Sequence, residues 1–330
     1  MPDALDHRII HGLRCAPRVS FRRLGEVLDV SEQTVARRYA ALRRDGVVRV
    51  VGMGNPAARG QAEWIARLRC RPDAVEPLAN SLVRRPEVAF ASIASGGSEI
   101  ICIVRSPAGT ARDDLLLRQL PRAGAVLDVH LDLVLHAFGT PGTAGWTGRA
   151  GSLTPGQVHR LTADRPVPAG PALPAGEEDA PLLEALAEDG RATHTRLAEL
   201  TGWSKPRVAR RLEALEEAGS LTYEVDTLTE RLGYELNATL WLQVDLPRLQ
   251  RIGEEISGHE ECAFASATSG RHNLMAVVIC RDTQDFYRYL STAVARIEGV
   301  NGYEISIRVR RLKQSSSLVQ HGRLVPAPRT

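Results

Sequence analysis

The 330-residue chain contains no apolar run approaching the roughly eighteen residues that a bilayer crossing needs, so no transmembrane helix is expected. A secretory leader would be basic and then apolar, but the opening MPDALDHRII carries Asp3 and Asp6. A cytoplasmic protein without a membrane partner is expected. Cysteine is sparse and odd in number. Cys15, Cys70, Cys102, Cys262 and Cys280 are widely spaced, mostly within apolar stretches such as IICIV and AVVIC, which argues against a disulfide framework and for reduced core residues. The chain also lacks a large excess of either charge, and its formal +3 is too small to identify a nucleic-acid partner by itself. There is no Walker loop, GxGxxG, HExxH, CxxC pair or nucleophile elbow, so no enzyme class is indicated by motif and no cofactor is expected. No metal site is expected either. His7 and His11 lie one helical turn apart without a third ligand, and His130, Asp132 and His136 share a strand face better explained as meeting another sheet.

The 43% hydrophobic content can fill two or more cores. The sequence repeats itself. A shift of 173 positions brings Asp6–Val48 onto Asp179–Leu221 without a gap, matching Arg18 with Arg191, Leu24 with Leu197, Ser31 with Ser204, Val35-Ala36-Arg37-Arg38 with Val208-Ala209-Arg210-Arg211, and Gly46 with Gly219. At an offset of 174, Ala89-Phe90-Ala91-Ser92 falls on Ala263-Phe264-Ala265-Ser266 and Ser95-Gly96 on Ser269-Gly270. Between the copies, residues 139–178 have the Gly/Pro/Ala/Thr composition of a linker, with one short helix expected after Thr154 and Pro155. Residues 313–330 read as a disordered tail.

Each copy opens with three short amphipathic segments. In the first these are Leu5 to Arg14, Ser20 to Leu28 and Ser31 to Arg44, the last starting with a serine able to cap free N–H groups. On the third segment Val35, Tyr39 and Leu42 share an inward face, leaving Gln33, Arg37 and Arg44 outward with Thr34 and Arg38 on the flank. In the second copy Ser204 caps, Val208, Leu212 and Leu215 face inward, and Lys205, Arg207, Arg210 and Arg211 lie outward or flanking. A helix lying in the major groove needs such side chains: Arg for guanine, Gln for adenine, further Arg or Lys for phosphates. A glycine and a β-rich stretch follow each helix, as a wing would. The copies differ in charge. Residues 1–50 hold ten Arg against six Asp plus Glu, whereas residues 179–225 hold six basic against nine acidic residues. The second copy therefore attracts DNA less.

After each wing the pattern becomes strand, helix, strand, strand, helix, strand, the order of a ferredoxin-like unit. The expected fold is α+β: two winged helix-turn-helix domains (1–53 and 179–227) and two ferredoxin-like βαββαβ effector modules (62–138 and 236–312) in tandem. Through DGRATHTRLAELTGWSKPRVARRLEALEEAGSLT and ASATSGRHNLMAVV, the chain resembles the Lrp/AsnC family of transcription regulators, as two family units fused. That resemblance implies a DNA-binding regulator and a homo-oligomer, with double-stranded DNA and a small-molecule effector, an amino acid or related compound, as partners. It implies DNA contacts along Ser31–Arg38 and Ser204–Arg211, and effector contacts at Ser95, Gly96, Gly97 and Glu99 and at Ser269, Gly270, Arg271 and Asn273.

An α-amino acid needs N–H donors for its carboxylate, which Gly96 and Gly97 can offer, and an acceptor for its ammonium, which Glu99 can be. Gly96-Gly97 reads equally as a hairpin turn. Family members commonly have Asp where this chain has Glu99 and Asn273, so the second copy lacks the acid and carries Arg271 and His272 beside it. The modules are expected to pair within one chain, with Asp132 facing Arg308 or Arg310. An alternative function on the same scaffold is sirohaem decarboxylation. Those enzymes carry a His-x-Tyr-x-Arg cluster near the second strand of the effector module, where this chain reads AFASIASG and AFASATSG.

Overall fold

Asp3, Ser20 and Ser31 each stand before a helix with the side chain accepting from the first-turn N–H groups, so three helices begin where the caps lie. They are α1 (Ala4–Cys15), α2 (Phe21–Leu28) and α3 (Glu32–Arg44). The chain then turns at Gly46, whose positive φ of 67° favours glycine, into β1 (Val48–Gly54). These features come from a computed structural model, which describes residues 2–56, 58, 60–107, 126–139, 153–163 and 174–327. The chain divides into two units, but not by sequence copy. One gathers Met1–Gln61, Ala150–Leu228 and His321–Pro326, the other Ala62–Arg149, Thr229–Gln320 and Ala327–Thr330.

The first unit contains both helix-turn-helix domains. The segment expected to hold a linker helix forms α5 (Pro155–Thr162), started by a Thr154 capping box, and it lies on the first domain. Leu161 is buried there, the Leu153 N–H donates to His11 Nδ1 at 2.9 Å, and Gln157 Nε2 donates to the Val27 carbonyl at 2.9 Å. The second domain follows as α6 (Ala180–Glu188), α7 (His194–Thr201), α8 (Lys205–Glu217) and β6 (Leu221–Thr227). The two expected wing strands pair with each other, β1 antiparallel to β6 from Val48 opposite Thr227 to Gly54 opposite Leu221.

The second unit contains both effector modules. The first module contributes β2 (Gln61–Cys70), α4 (Val75–Leu82), β3 (Val88–Ala94), β4 (Glu99–Pro107) and β5 (Val126–Phe138); its expected second helix, near 110–120, lies outside the described residues. The second contributes β7 (Leu236–Val244), α9 (Leu249–Ser257), β8 (Cys262–Thr268), β9 (Leu274–Cys280), α10 (Thr283–Thr292) and β10 (Val300–Gln314). The strands run β10-β3-β4-β2-β5-β8-β9-β7, and β7 pairs back onto β10, closing a ring. Closure leaves none of these strands as an open edge. Strand alternation separates two apolar layers. On β7, Leu240 and Leu242 pack with Ile252, Ile256, Phe286 and Tyr289 of the helices, while Trp241 points the other way, to Ile65, Ala94, Ile101 and Met275.

One sequence expectation fails here. Residues 313–326, read as disordered, are ordered up to β12 (Arg323–Pro326). In the second unit β10 continues to Gln314 and is joined by β11 (Ser317–Gln320), with Lys313 opposite Leu318. In the first, Leu324 is buried and its N–H donates to the Gly46 carbonyl at 2.8 Å. Two leucines eleven and five residues from the last described one suffice to anchor a polar tail, because each buries a full aliphatic side chain. The cysteines fit their expectation as free thiols. Cys70, Cys102, Cys262 and Cys280 are buried, and burial pushes Cys102 and Cys262 up to about 12.

Candidate nucleic-acid interface and effector sites

The inward stripes of α3 and α8 are buried as expected: Val35, Tyr39 and Leu42 in one, Val208, Leu212 and Leu215 in the other. That burial turns Gln33 and Arg37, and Lys205, Arg207 and Arg210, to solvent. Among the described residues none of Gln33, Arg37, Lys205 and Arg210 has a hydrogen-bonding or ionic partner, so their donors are free for a ligand. The caps Ser31 and Ser204 accept from the Thr34 and Arg207 N–H groups, and the Thr34 hydroxyl lies 2.9 Å from Ser31 Oγ. Arg207 is held over the Trp203 ring, 4.2 Å from its centroid. The first copy has Val30 and Thr34 at the two positions, so this stacked arginine belongs to the second helix alone.

Arg38 and Arg211, expected on the flank beside the DNA backbone, are committed elsewhere. Arg38 reaches Asp3 at 2.5 Å and Asp6 at 3.3 Å; Arg211 reaches Asp179 at 2.5 and 2.6 Å and Glu178 at 3.4 Å. Asp6 and Asp179 match in the repeat, so one clamp ties the third helix to the first in both domains. The Arg38 hydrogen bond holds Asp3 below the usual carboxylate range, and Arg211 does the same to Asp179.

A second arginine pair joins the domains reciprocally. Arg18 donates to the carbonyls of Gly190 (2.6 Å) and Ala192 (3.2 Å), and Arg191 to those of Pro17 (2.5 Å) and Val19 (2.7 Å). Donors and acceptors exchange under the 173-residue shift. Arg191 also lies over the rings of Phe21 and Tyr39. Sequence reasoning missed this role, although the matching of Arg18 with Arg191 away from the recognition helices was a visible signal.

In the ring, the two effector loops are built differently. Ser95–Gly97 forms a tight turn with positive φ at all three residues, and the hairpin reading of Gly96-Gly97 fits it. Glu99 is only 3% exposed and is not an open acceptor. One oxygen accepts from Arg67 Nε at 2.7 Å, the other from the Ser95 and Ser306 hydroxyls at 2.7 Å each. Arg67 continues to Glu304 and stacks 4.2 Å from the Trp241 centroid, while Trp241 Nε1 donates to Ser306 Oγ. The expectation of Glu99 as a free ammonium acceptor fails because a buried carboxylate needs internal donors, and this one has three.

At the equivalent loop, Asn273 exchanges hydrogen bonds with the backbone of Val244, and Ser269 ties the loop to Leu133 on β5. Arg271 is exposed. Gly270 lies against Asp132 so closely that a Cβ there would overlap the carboxylate. The expected facing of Asp132 with Arg308 or Arg310 is therefore wrong. Arg308 turns to Glu230 at 3.9 Å and Arg310 to Glu76, because β10 joins β3 at the opposite seam of the ring from β5 and β8. The pairing of modules within one chain is nevertheless present.

With the geometry in hand, comparison with known proteins is decisive for the family. The model of the AsnC-type helix-turn-helix domain matches residues 3–43 and 178–216, and that of the Lrp/AsnC ligand binding domain matches residues 237–318. The HTH-type transcriptional regulator LrpA of Pyrococcus abyssi is 30% identical over 138 residues, spanning 42% of this chain and 98% of that protein; LrpA of Pyrococcus horikoshii matches to the same extent. The chain belongs to the Lrp/AsnC family. It is a DNA-binding helix-turn-helix protein of the transcription-regulator type with two helix-turn-helix regions. Among solved structures, the siroheme decarboxylase NirDL, in complex with an iron-uroporphyrin III analogue, aligns with a TM-score of 0.60 at 16% identity, covering 94% of this chain and 93% of that one. That likeness shows a shared fold. No helix among the described residues is long and apolar enough to cross a membrane.

Proposed function

We propose that this Lrp/AsnC protein is a sequence-specific transcriptional regulator that reads an asymmetric DNA site with two unlike helices and responds to an amino acid or related small molecule. The observation that carries the reading is the paired presentation of free cationic side chains, Arg37 on α3 and Lys205 and Arg210 on α8, from domains locked by the Arg18 and Arg191 exchange. Arg37 and Arg210 read the bases common to both half-sites, where a bidentate arginine pairs with guanine. Glu32-Gln33-Thr34 in one helix stands where Lys205-Pro206-Arg207 stands in the other, so the half-sites differ where the first helical turn reaches. Arg38 and Arg211 act as structural clamps. Selection of bound sequences from a random library tests this. Unlike half-sites sharing a guanine are the expected product, and a single short perfect palindrome would overturn the two-helix reading.

Tetrapyrrole chemistry is the second reading, favoured by the whole-chain fold shared with the siroheme decarboxylase. Against it, β3 and β8 read VAFASIA and CAFASAT, without the His and Tyr of the cluster those enzymes carry. Titration with an iron-uroporphyrin separates the two. A shifted Soret band with loss of substrate carboxylates would support the enzyme.

A further inference from the structure

The two effector poles of the ring are related by the 174-residue repeat, yet their charges are arranged differently. At the first pole the acid sits on the loop, as Glu99, and its neighbour on the opposing strand is Ser306. At the second pole the loop position is Asn273, and the residue that matches Ser306 is Asp132 on β5. The acid has moved from loop to strand. The cation has not moved with it, because Arg67, which neutralises Glu99, is matched at the second pole by Trp241. Asp132 is half-buried and accepts no hydrogen bond from any described residue. A carboxylate withdrawn from water in this way is left short of donors. Its charged neighbours are His130, Arg67 and His272, none in hydrogen-bonding contact, and burial outweighs them in pushing the Asp132 carboxyl up. His130 is itself bonded to Asp128 at 2.9 Å.

The loop supplies the opposite charge. Arg271 follows Gly270, is exposed, and has no ionic partner among the described residues; at the first pole its match is Gly97. Gly270 permits the Asp132 carboxylate to lie against the loop, since any side chain there would displace it. One pole thus offers an unsatisfied anion and a free cation around one glycine. The other has satisfied both internally.

We propose that each chain takes one α-amino acid, or a related small zwitterion with a primary ammonium, at the second pole. Asp132 accepts from the ammonium and Arg271 receives the carboxylate, while the first pole is closed by Arg67. The inference rests on the effector-responsive reading above and assigns that response to one of two pseudo-equivalent places. It also accounts for the loss of the loop acid at Asn273, which the strand acid replaces.

Thermal shift of the full chain with each of the twenty L-amino acids, followed by calorimetric titration of those that respond, provides the test. One site per chain is expected. Asp132→Asn should weaken binding at least tenfold without lowering the ligand-free melting temperature, since an unsatisfied carboxylate contributes no stability to lose. Glu99→Gln should lower that temperature and keep the affinity, and Ser306→Ala probes the same pole if the glutamine variant does not fold. Two equal sites, or an unchanged affinity in Asp132→Asn, would overturn the one-pole assignment while the effector reading stands. If no amino acid shifts the wild-type chain, the effector reading fails and the assignment with it.

Discussion

Arg37 and Arg38 are chain neighbours of the same type, and the structure gives them different work. Arg37 faces solvent without a partner, whereas Arg38 closes on Asp3 and Asp6. We expect Arg37→Ala and Arg210→Ala each to weaken specific DNA binding by about 1 to 3 kcal/mol, read by fluorescence anisotropy, with an unchanged melting temperature. Unchanged affinity in both would remove these residues from the interface. The clamps lead to a pH dependence. Asp179 is fully buried at its side chain and its carboxyl is held down by Arg211, so its folded value lies below its unfolded one. The stability it contributes is present above the ordinary value and is lost as pH falls through the depressed one. Asp179→Asn should therefore lower the melting temperature at neutral pH, with the gap to wild type closing near about pH 2. A gap that persists in acid would show that the charge is not its cause.

At the scale of elements, caps and turns were legible because their chemistry is local. Thr154 with Pro155, Ser31 and Ser204 each start a helix at the residue where a capping side chain satisfies the free N–H groups. The C-terminal segment was not legible, since QSSSLVQHGRLVPAPRT has the composition of a tail and its few leucines find their contacts only in three dimensions. Leu324 is 5% exposed, and Gly46 approaches Arg323 so closely that an added Cβ would lie 2.7 Å from the Arg323 Cβ. Truncation after Gln320 should cost about 1.5 to 3 kcal/mol of stability, the value of burying one leucine, as measured by denaturant unfolding. An unchanged midpoint would mean that β12 contributes nothing to the first helix-turn-helix domain.

For the whole molecule, the closed ring makes each module dependent on the other. β3 and β5 of the first module pair with β10 and β8 of the second, so a chain ending at residue 138 presents both as open edges. Residues 1–138 alone should accordingly form a dimer in light scattering, two first modules closing a ring as the fused pair does. A stable monomer would show that the module closes its edges in another way. The same dependence runs through the DNA-binding unit, where β1 lacks its ladder partner without β6 and each arginine of the exchange loses its carbonyls.

Sequence alone determined what periodicity, caps and repetition encode: α+β class, two copies, the helix-turn-helix order, the outward faces of α3 and α8, and the loops of the effector modules. These depend on residues a few positions apart, and their physics is complete within one turn or one strand. Tertiary structure decided which of the matched residues are free. Arg38 and Arg37 are indistinguishable as types, and Glu99 as an acceptor looks more promising than Asn273 until Arg67, Ser95 and Ser306 are seen to saturate it. Their partners lie between 32 and 207 positions away in the chain, and electrostatic commitment is set by distance in space. For the same reason Asp132 was assigned the wrong facing. Its alternation on β5 was right, but which strand closes the ring opposite it is a property of topology.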